Sequence, residues 1–156
     1  MKMKRYLLFT LSIYFFTTVF SAAEAFTQSI PPFKMGLSTG KIFNAASDFK
    51  KEKPVILIYF DPDCDHCQKL MNELFKKINE FKNAEIVMVT FKSITEVTVF
   101  EAKYNTKKYT NISVGTEGSG FYLRDYFRLV KMPFTALYDK KENLSYTYRQ
   151  ETPWMI

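Results

Sequence analysis

The sequence predicts an α/β domain with a central mixed sheet, flanking helices and a C-terminal β-hairpin. Three observations predict it. Residues 55–60 (VILIYF) and 85–91 (EIVMVTF) are continuous apolar runs rich in β-branched and aromatic side chains, the pattern of strands buried on both faces. Between them Leu70, Leu74, Ile78 and Phe81 recur at helical spacing, with Lys and Glu filling the gaps. Near the C-terminus, a third apolar run at 134–138 is followed across a polar turn by an alternating run at 144–149, which predicts a hairpin.

In chain order, Lys2, Lys4 and Arg5 precede an uncharged, mostly apolar stretch over 6–20, and Ser21-Ala22-Ala23-Glu24-Ala25 supplies an A-x-A site. This is the layout of a secretory signal peptide over 1–25. Its apolar stretch falls short of the roughly 20 residues that span a bilayer, so membrane contact is expected only through this segment if it stays uncleaved. Residues 26–37, with Pro31-Pro32, are expected to be an extended lead-in, and the folded domain to occupy 38–156. Within it, 38–43 (STGKIF) predicts a short strand, and Ser47-Asp48 a cap for one helical turn that Pro54 ends. After the strand at 55–60, Asp61-Pro62-Asp63 breaks the run and a helix begins near Cys64. The strand at 85–91 then closes a right-handed βαβ unit. A second helix is expected over 94–104. Residues 105–120 are polar and hold three of the five glycines, which predicts a long connection. A helical turn is expected within 120–130, with Tyr122 and Tyr126 on one side, and 139–143 is the turn of the hairpin.

Composition excludes several function classes. Of 156 residues only two are Cys and one is His, too few for a closed four-ligand zinc site from those residues or for a multi-disulfide scaffold. No metal or other cofactor is expected. The formal charge is +6, and removing 1–25 takes away three cations and Glu24, reducing it to +4. The remaining cations form short pairs such as Lys76-Lys77, Lys107-Lys108 and Lys140-Lys141, which suit solvated faces rather than a nucleic-acid stripe. The aromatic share is high at 17%. Phe60, Phe75, Phe81, Phe91 and Phe134 fit core positions. Tyr104, Tyr109, Tyr122, Tyr126, Tyr146 and Tyr148 are left as candidates for a groove or partner surface.

The chemistry concentrates in Cys64-Asp65-His66-Cys67, which holds both cysteines and the single histidine. A helix N-terminus offers unpaired N–H groups and the positive end of the helix dipole, which favour a thiolate. Cys64, at the turn, suits a nucleophile, and Cys67, one helical turn inside, can attack a mixed disulfide formed there. The pair also admits a static disulfide, although closing so short a loop removes little unfolded-state entropy. His66, when protonated, favours a thiolate beside it. Asp61, Asp63 and Asp65 oppose one by like-charge repulsion, which together predicts an intermediate redox potential. Asp63 also suits the cap of the helix.

The run Phe60-Asp61-Pro62-Asp63-Cys64-Asp65-His66-Cys67 after a buried strand, with Met132-Pro133 before a later one, resembles the thioredoxin superfamily, and within it the exported TlpA-like thiol–disulfide oxidoreductases and redoxins of bacterial envelopes. The resemblance covers about residues 39–149 and implies a thioredoxin-like fold. It implies that Cys64 attacks, that Cys67 resolves, and that Pro133, preceded by Met132, is a cis-proline facing the pair. It also implies that the partners are cysteine-containing envelope proteins and a protein that recharges the dithiol. Departures stand beside the likeness. The buried carboxylate that many members carry six residues before the first Cys is Ile58 here, so Glu85 or water is left to move the proton of Cys67. Asp63 replaces the usual Trp before the first Cys. Only seven residues follow Arg149, too few for the usual closing helix, which leaves one sheet face to residues 26–37 or to a partner. Two other functions stay open: a peroxiredoxin-like peroxide reductase, which Asp61 disfavours because that family has Thr or Ser three residues before its Cys, and a non-enzymatic thioredoxin-like binding module.

Overall fold

The computed structural model describes residues 28–150. The segment predicted as an export signal lies outside these residues. Seven strands form one mixed sheet: β1 (Lys34–Leu37), β2 (Ile42–Asn44), β3 (Val55–Tyr59), β4 (Glu85–Thr90), β5 (Ile112–Thr116), β6 (Phe134–Tyr138) and β7 (Leu144–Arg149), in the order β2-β1-β5-β4-β3-β6-β7. β3, β4 and β5 run parallel, while β6, β7, β1 and β2 add antiparallel edges. The helices are α1 (Ala45–Asp48), α2 (Asp65–Lys76), α3 (Ile94–Tyr104) and α4 (Tyr122–Tyr126), with short 3-10 turns at Ile78–Phe81, Thr106–Lys108 and Gly118–Gly120. This is the thioredoxin-like architecture with a C-terminal hairpin.

Every residue of β3 and β4 is buried, because the sheet is covered on both sides. Alternation divides their side chains between two cores. Ile56, Ile58, Ile86 and Met88 pack against Leu70, Met71 and Leu74 of α2 and Val97 and Phe100 of α3. Val55, Leu57, Tyr59, Val87 and Val89 pack on the other face with Phe33, Met35, Leu123 and Phe127. Each core buries roughly a dozen large apolar side chains, at about 1.5–3 kcal/mol apiece relative to exposure.

Four differences from the sequence expectations have identifiable causes. Residues 105–120 are not one connection, since β5 lies within them and pairs with both β4 and β1. Its sequence ISVGT hides it, because β1 lies close above Gly115. A Cβ there would stand 2.7 Å from the Gly36 carbonyl oxygen and 2.8 Å from Met35 Sδ, so the strand position demands the residue that most weakens a strand signal. The lead-in at 26–37 ends in β1, which belongs to the sheet and sends Phe33 and Met35 into a core. The stretch at 38–43 is mostly a turn, closed by Leu37 N–H to the Lys41 carbonyl at 2.9 Å, with Gly40 at φ 81; only its end enters β2. Ser47 and Asp48 do not precede the short helix but end it. Asn44 caps it by accepting from Ala46 N–H at 3.2 Å, and Asp48 accepts from Asn44 N–H at 2.8 Å.

The aromatic residues separate in the same way. Phe60 and Phe134 are fully buried, while Phe75, Phe81 and Phe91 are half-buried at core edges. Tyr104 stacks on Phe75 with centroids 5.0 Å apart and Tyr109 lies 6.1 Å from the same ring, so these two extend the core. Tyr122 and Tyr126 stack on each other in the open, and Tyr146, 61% exposed, lies against Tyr148.

Candidate active site

The interior strand β3 delivers the chain to the C-terminal end of the parallel strands, where Phe60 N–H donates to the Val89 carbonyl at 3.0 Å. The turn that follows aims the chain into α2. Asp61 Oδ1 accepts from Asp63 N–H at 2.9 Å, and the Asp61 carbonyl accepts from Cys64 N–H at 3.2 Å. Cys64, rather than Asp63, occupies the N-cap of α2, in extended conformation and with no side-chain cap. A sulfur thus stands where an oxygen cap usually sits, at the end of the helix that carries unpaired N–H groups.

Both cysteines are free thiols. Cys64 is half-buried, and its thiol points to the Met132 carbonyl oxygen at 3.8 Å. Cys67 is wholly buried, and its Sγ accepts from Asp61 N–H at 3.5 Å. Burial pushes the Cys67 thiol well above its ordinary range. The Asp61 amide opposes that push, while the Cys64 sulfur and the Asp61 carboxylate add to it. Pro133 is buried, and the Met132–Pro133 peptide bond is cis. The structure therefore brings Cys64, Cys67, Met132 and Pro133 to one corner. His66 and Asp65 lie on the first turn of α2 with exposed side chains, and among the described residues no hydrogen bond or ion pair ties either side chain.

Glu85 is not near this corner. It pairs in register with Val55, whereas the cysteine end of the sheet is at Tyr59 and Val89, four residues or about 13 Å along the strand. Its carboxylate is held instead by Lys50 at 3.3 Å and Lys53 at 3.5 Å, so it cannot take the proton of Cys67. The place of the expected carboxylate is dry: Ile58, fully buried, faces Met88 on one side and Thr135 on the other. Among the described residues the buried Thr135 hydroxyl has no hydrogen-bond partner.

Sequence reasoning missed Lys92. It follows β4 and lies beside the turn before α2, pairing with Asp63 at 2.7 Å, Asp61 at 3.5 Å and Glu96 at 3.8 Å. The Asp63 carboxylate and then Asp61 hold the Lys92 ammonium above its ordinary value. Two of the three aspartates expected to repel a thiolate are thereby partly neutralised. The only signal available in the sequence was a basic residue at the end of the strand adjacent to the one carrying the motif. A cavity of about 500 Å³ lies at the opposite end of the sheet, against Pro54, Val55, Phe81 and Leu137, and has no part in this corner.

The model of the AhpC/TSA family matches residues 26–154. No curated protein matches the chain. Among solved structures, a thiol-disulfide oxidoreductase from Bacteroides fragilis is similar with TM-score 0.64 and 13% identity, over 77% of this chain and 89% of that one. A secreted disulfide oxidoreductase from Mycobacterium tuberculosis gives TM-score 0.64 and 17% identity over 80% and 88% of the two chains. A thiol peroxidase from Chromobacterium violaceum gives TM-score 0.62 and 15% identity over 79% and 74%. At such identities the likeness speaks for the fold.

Proposed function

The chain belongs to the AhpC/TSA family of thioredoxin-like redox proteins, and from that premise we propose that it is an exported dithiol–disulfide oxidoreductase exchanging disulfides with cysteines of envelope proteins. The observation that carries the proposal is the division of labour between the two free thiols: Cys64 half-exposed at the N-cap of α2, Cys67 sealed behind it. Export is supported by the charged, apolar and small-residue segments of the first 25 residues and by the likeness to a secreted oxidoreductase. Among the described residues no helix is long and apolar enough to cross a membrane.

In the reducing direction, the Cys64 thiolate attacks one sulfur of the substrate disulfide. A Cys64–substrate bond forms, and the other substrate sulfur leaves with the electron pair of the broken bond. Cys67 then loses its proton and attacks Cys64 Sγ, forming the Cys64–Cys67 disulfide and releasing the second substrate sulfur. Two electrons pass from the dithiol to the substrate; the oxidising direction is the reverse. The Asp61 amide at 3.5 Å is the group placed to support charge on Cys67 Sγ as its proton departs. Met132 and Pro133 form the wall across from Cys64, where a substrate chain is to lie.

A second reading, peroxide reduction, is favoured by the family and by the likeness to a thiol peroxidase. In it the Cys64 thiolate attacks one peroxide oxygen, the O–O bond breaks and the other oxygen leaves as water, and Cys67 then displaces the sulfenic oxygen as a second water to form the Cys64–Cys67 disulfide. The residue three before Cys64 argues against this reading: it is Asp61, a carboxylate already engaged by Asp63 N–H and Lys92, rather than a hydroxyl donor.

The test is a Cys67→Ser variant expressed with its N-terminal segment. It is expected to retain partners as mixed disulfides on Cys64, which reducing agent releases and Cys64→Ser does not form. Capture of nothing, with Cys64 still open to alkylation, overturns the proposal. Peroxide consumption with a trappable Cys64 sulfenic acid supports the second reading instead.

A further inference from the structure

The rim beside Met132 and Pro133 carries a feature that disulfide exchange does not by itself require. After α4, Arg128 N–H donates to the Asp125 carbonyl at 3.1 Å and Leu129 N–H to the Arg124 carbonyl at 2.8 Å, and the Leu129 side chain is buried. Arg128 itself sits at φ 51, in the left-handed region. These anchors turn the next residues outward, leaving Val130 85% exposed and Lys131 exposed immediately before Met132. From β7, Arg149 lies 5.2 Å over the Phe134 ring and donates to the Phe127 carbonyl at 2.9 Å, which fixes its guanidinium at the same rim. Gln150 N–H closes on the Pro133 carbonyl at 2.8 Å. Arg128, Val130, Lys131, Arg149 and Gln150 line a cavity of about 250 Å³.

Among the described residues, none of these three cations is paired with a carboxylate, although Lys50, Lys53, Lys76, Lys92 and Lys107 all are. On the α2 side of Cys64, by contrast, Asp61 and Asp63 already share Lys92. The field across the corner is thus uneven, and its unspent positive charge lies on the side of the Met132 wall. Unpaired arginines at a rim hold carboxylates bidentately, and a cluster of like charge accelerates encounter with a partner of opposite sign.

We propose that this rim selects substrates whose cysteine is flanked by Asp or Glu, the carboxylates seating among Arg128, Lys131 and Arg149 and a neighbouring apolar residue against Val130. The inference rests on the oxidoreductase reading and adds its substrate class, an acidic cysteine-containing peptide segment. The chemistry is that of the two exchange steps above, with the peptide disulfide taking the two electrons.

The test uses synthetic heptapeptides with one central cysteine, joined as symmetric disulfides and flanked by Glu in one set and by Lys in the other, mixed with the reduced full chain. Each rate is divided by the rate of the same peptide with dithiothreitol, which removes its intrinsic reactivity. The normalised rate is expected to favour the Glu set by about tenfold at low salt, falling towards about twofold near 0.5 M salt. Arg128→Glu with Lys131→Glu is expected to reverse the order. Arg128→Asn with Lys131→Gln, in which Asn suits the left-handed backbone, is expected to reduce the preference below about threefold. Equal normalised rates in the unaltered chain, or a preference that survives in both variants, overturns the inference while leaving exchange itself intact. Absence of exchange with either set overturns the oxidoreductase reading and this inference with it.

Discussion

Replacing Cys67 by Ser in the reduced protein is expected to change how stability depends on pH. Burial raises the Cys67 thiol in the folded state above its ordinary value of 9.0, whereas in the unfolded chain it titrates near that value. Above about pH 9 the unfolded state therefore holds fewer protons than the folded one, and stability falls as pH rises. For one group protonated throughout in the folded state and with an unfolded value of 9.0, the loss is about 1.4 kcal/mol by pH ~10 and a further ~1.4 kcal/mol for the next unit. Tyr59 and Tyr138, both raised chiefly by burial, steepen the decline from about pH 10, but they do so equally in both proteins. The assay is urea unfolding followed by circular dichroism from about pH 7.5 to pH 10.5 with a phosphine reductant. With a slope near 2 kcal/mol per molar urea, the midpoint of the unaltered protein should fall about 0.7 M further than that of Cys67→Ser between pH ~8 and pH ~10. Parallel declines would refute the reasoning, because they would mean that Cys67 is not held protonated by its surroundings.

Two further substitutions probe the corner and its support. Lys92→Gln leaves Asp61 and Asp63 without their counter-charge; alkylation of Cys64 by iodoacetamide at neutral pH should slow about threefold, and Lys92→Arg should restore it. Gly115→Ala places a Cβ against the Gly36 carbonyl and Met35 at under 3 Å; it should cost about 1–3 kcal/mol in urea unfolding, and an unchanged midpoint would show that β1 can move aside.

Much of this arrangement was legible because burial writes itself into sequence where a strand is covered on both faces. β3, β4 and β6 are continuous apolar runs, and the cysteine spacing at the start of α2 is local to four residues. What was not legible depends on residues distant in sequence. β5 carries a glycine where the Gly36 carbonyl and the Met35 side chain press on Gly115, so its pairing with β1 and β4 marks a strand that its own side chains do not announce. Lys92 stands 29 positions from Asp63 and reaches it only because β3 and β4 are parallel and in register. Glu85 opens β4, the strand that Lys92 follows, and is no proton acceptor for Cys67 for the same reason, being set at the strand's other end. The basic rim joins residues 128–131 to Arg149 through the hairpin, a juxtaposition that no single stretch of sequence contains.

The apolar surroundings of Cys67 have a kinetic consequence under the proposed reaction. Ile58, Phe60, Leu70, Met71 and Met88 belong to the apolar core in which Cys67 is buried, and the Asp61 amide touches its sulfur from the turn at 3.5 Å. The proton of Cys67 then leaves on the side of Asp61 and Cys64, the two groups that act on its thiol, by the doorway through which the substrate's second sulfur departs. A leaving thiolate at that doorway is itself a base, so proton and product can go together. The protein would keep its resolving thiol capped until a departing substrate arrives to uncap it, and bulk buffer would have little influence on that step.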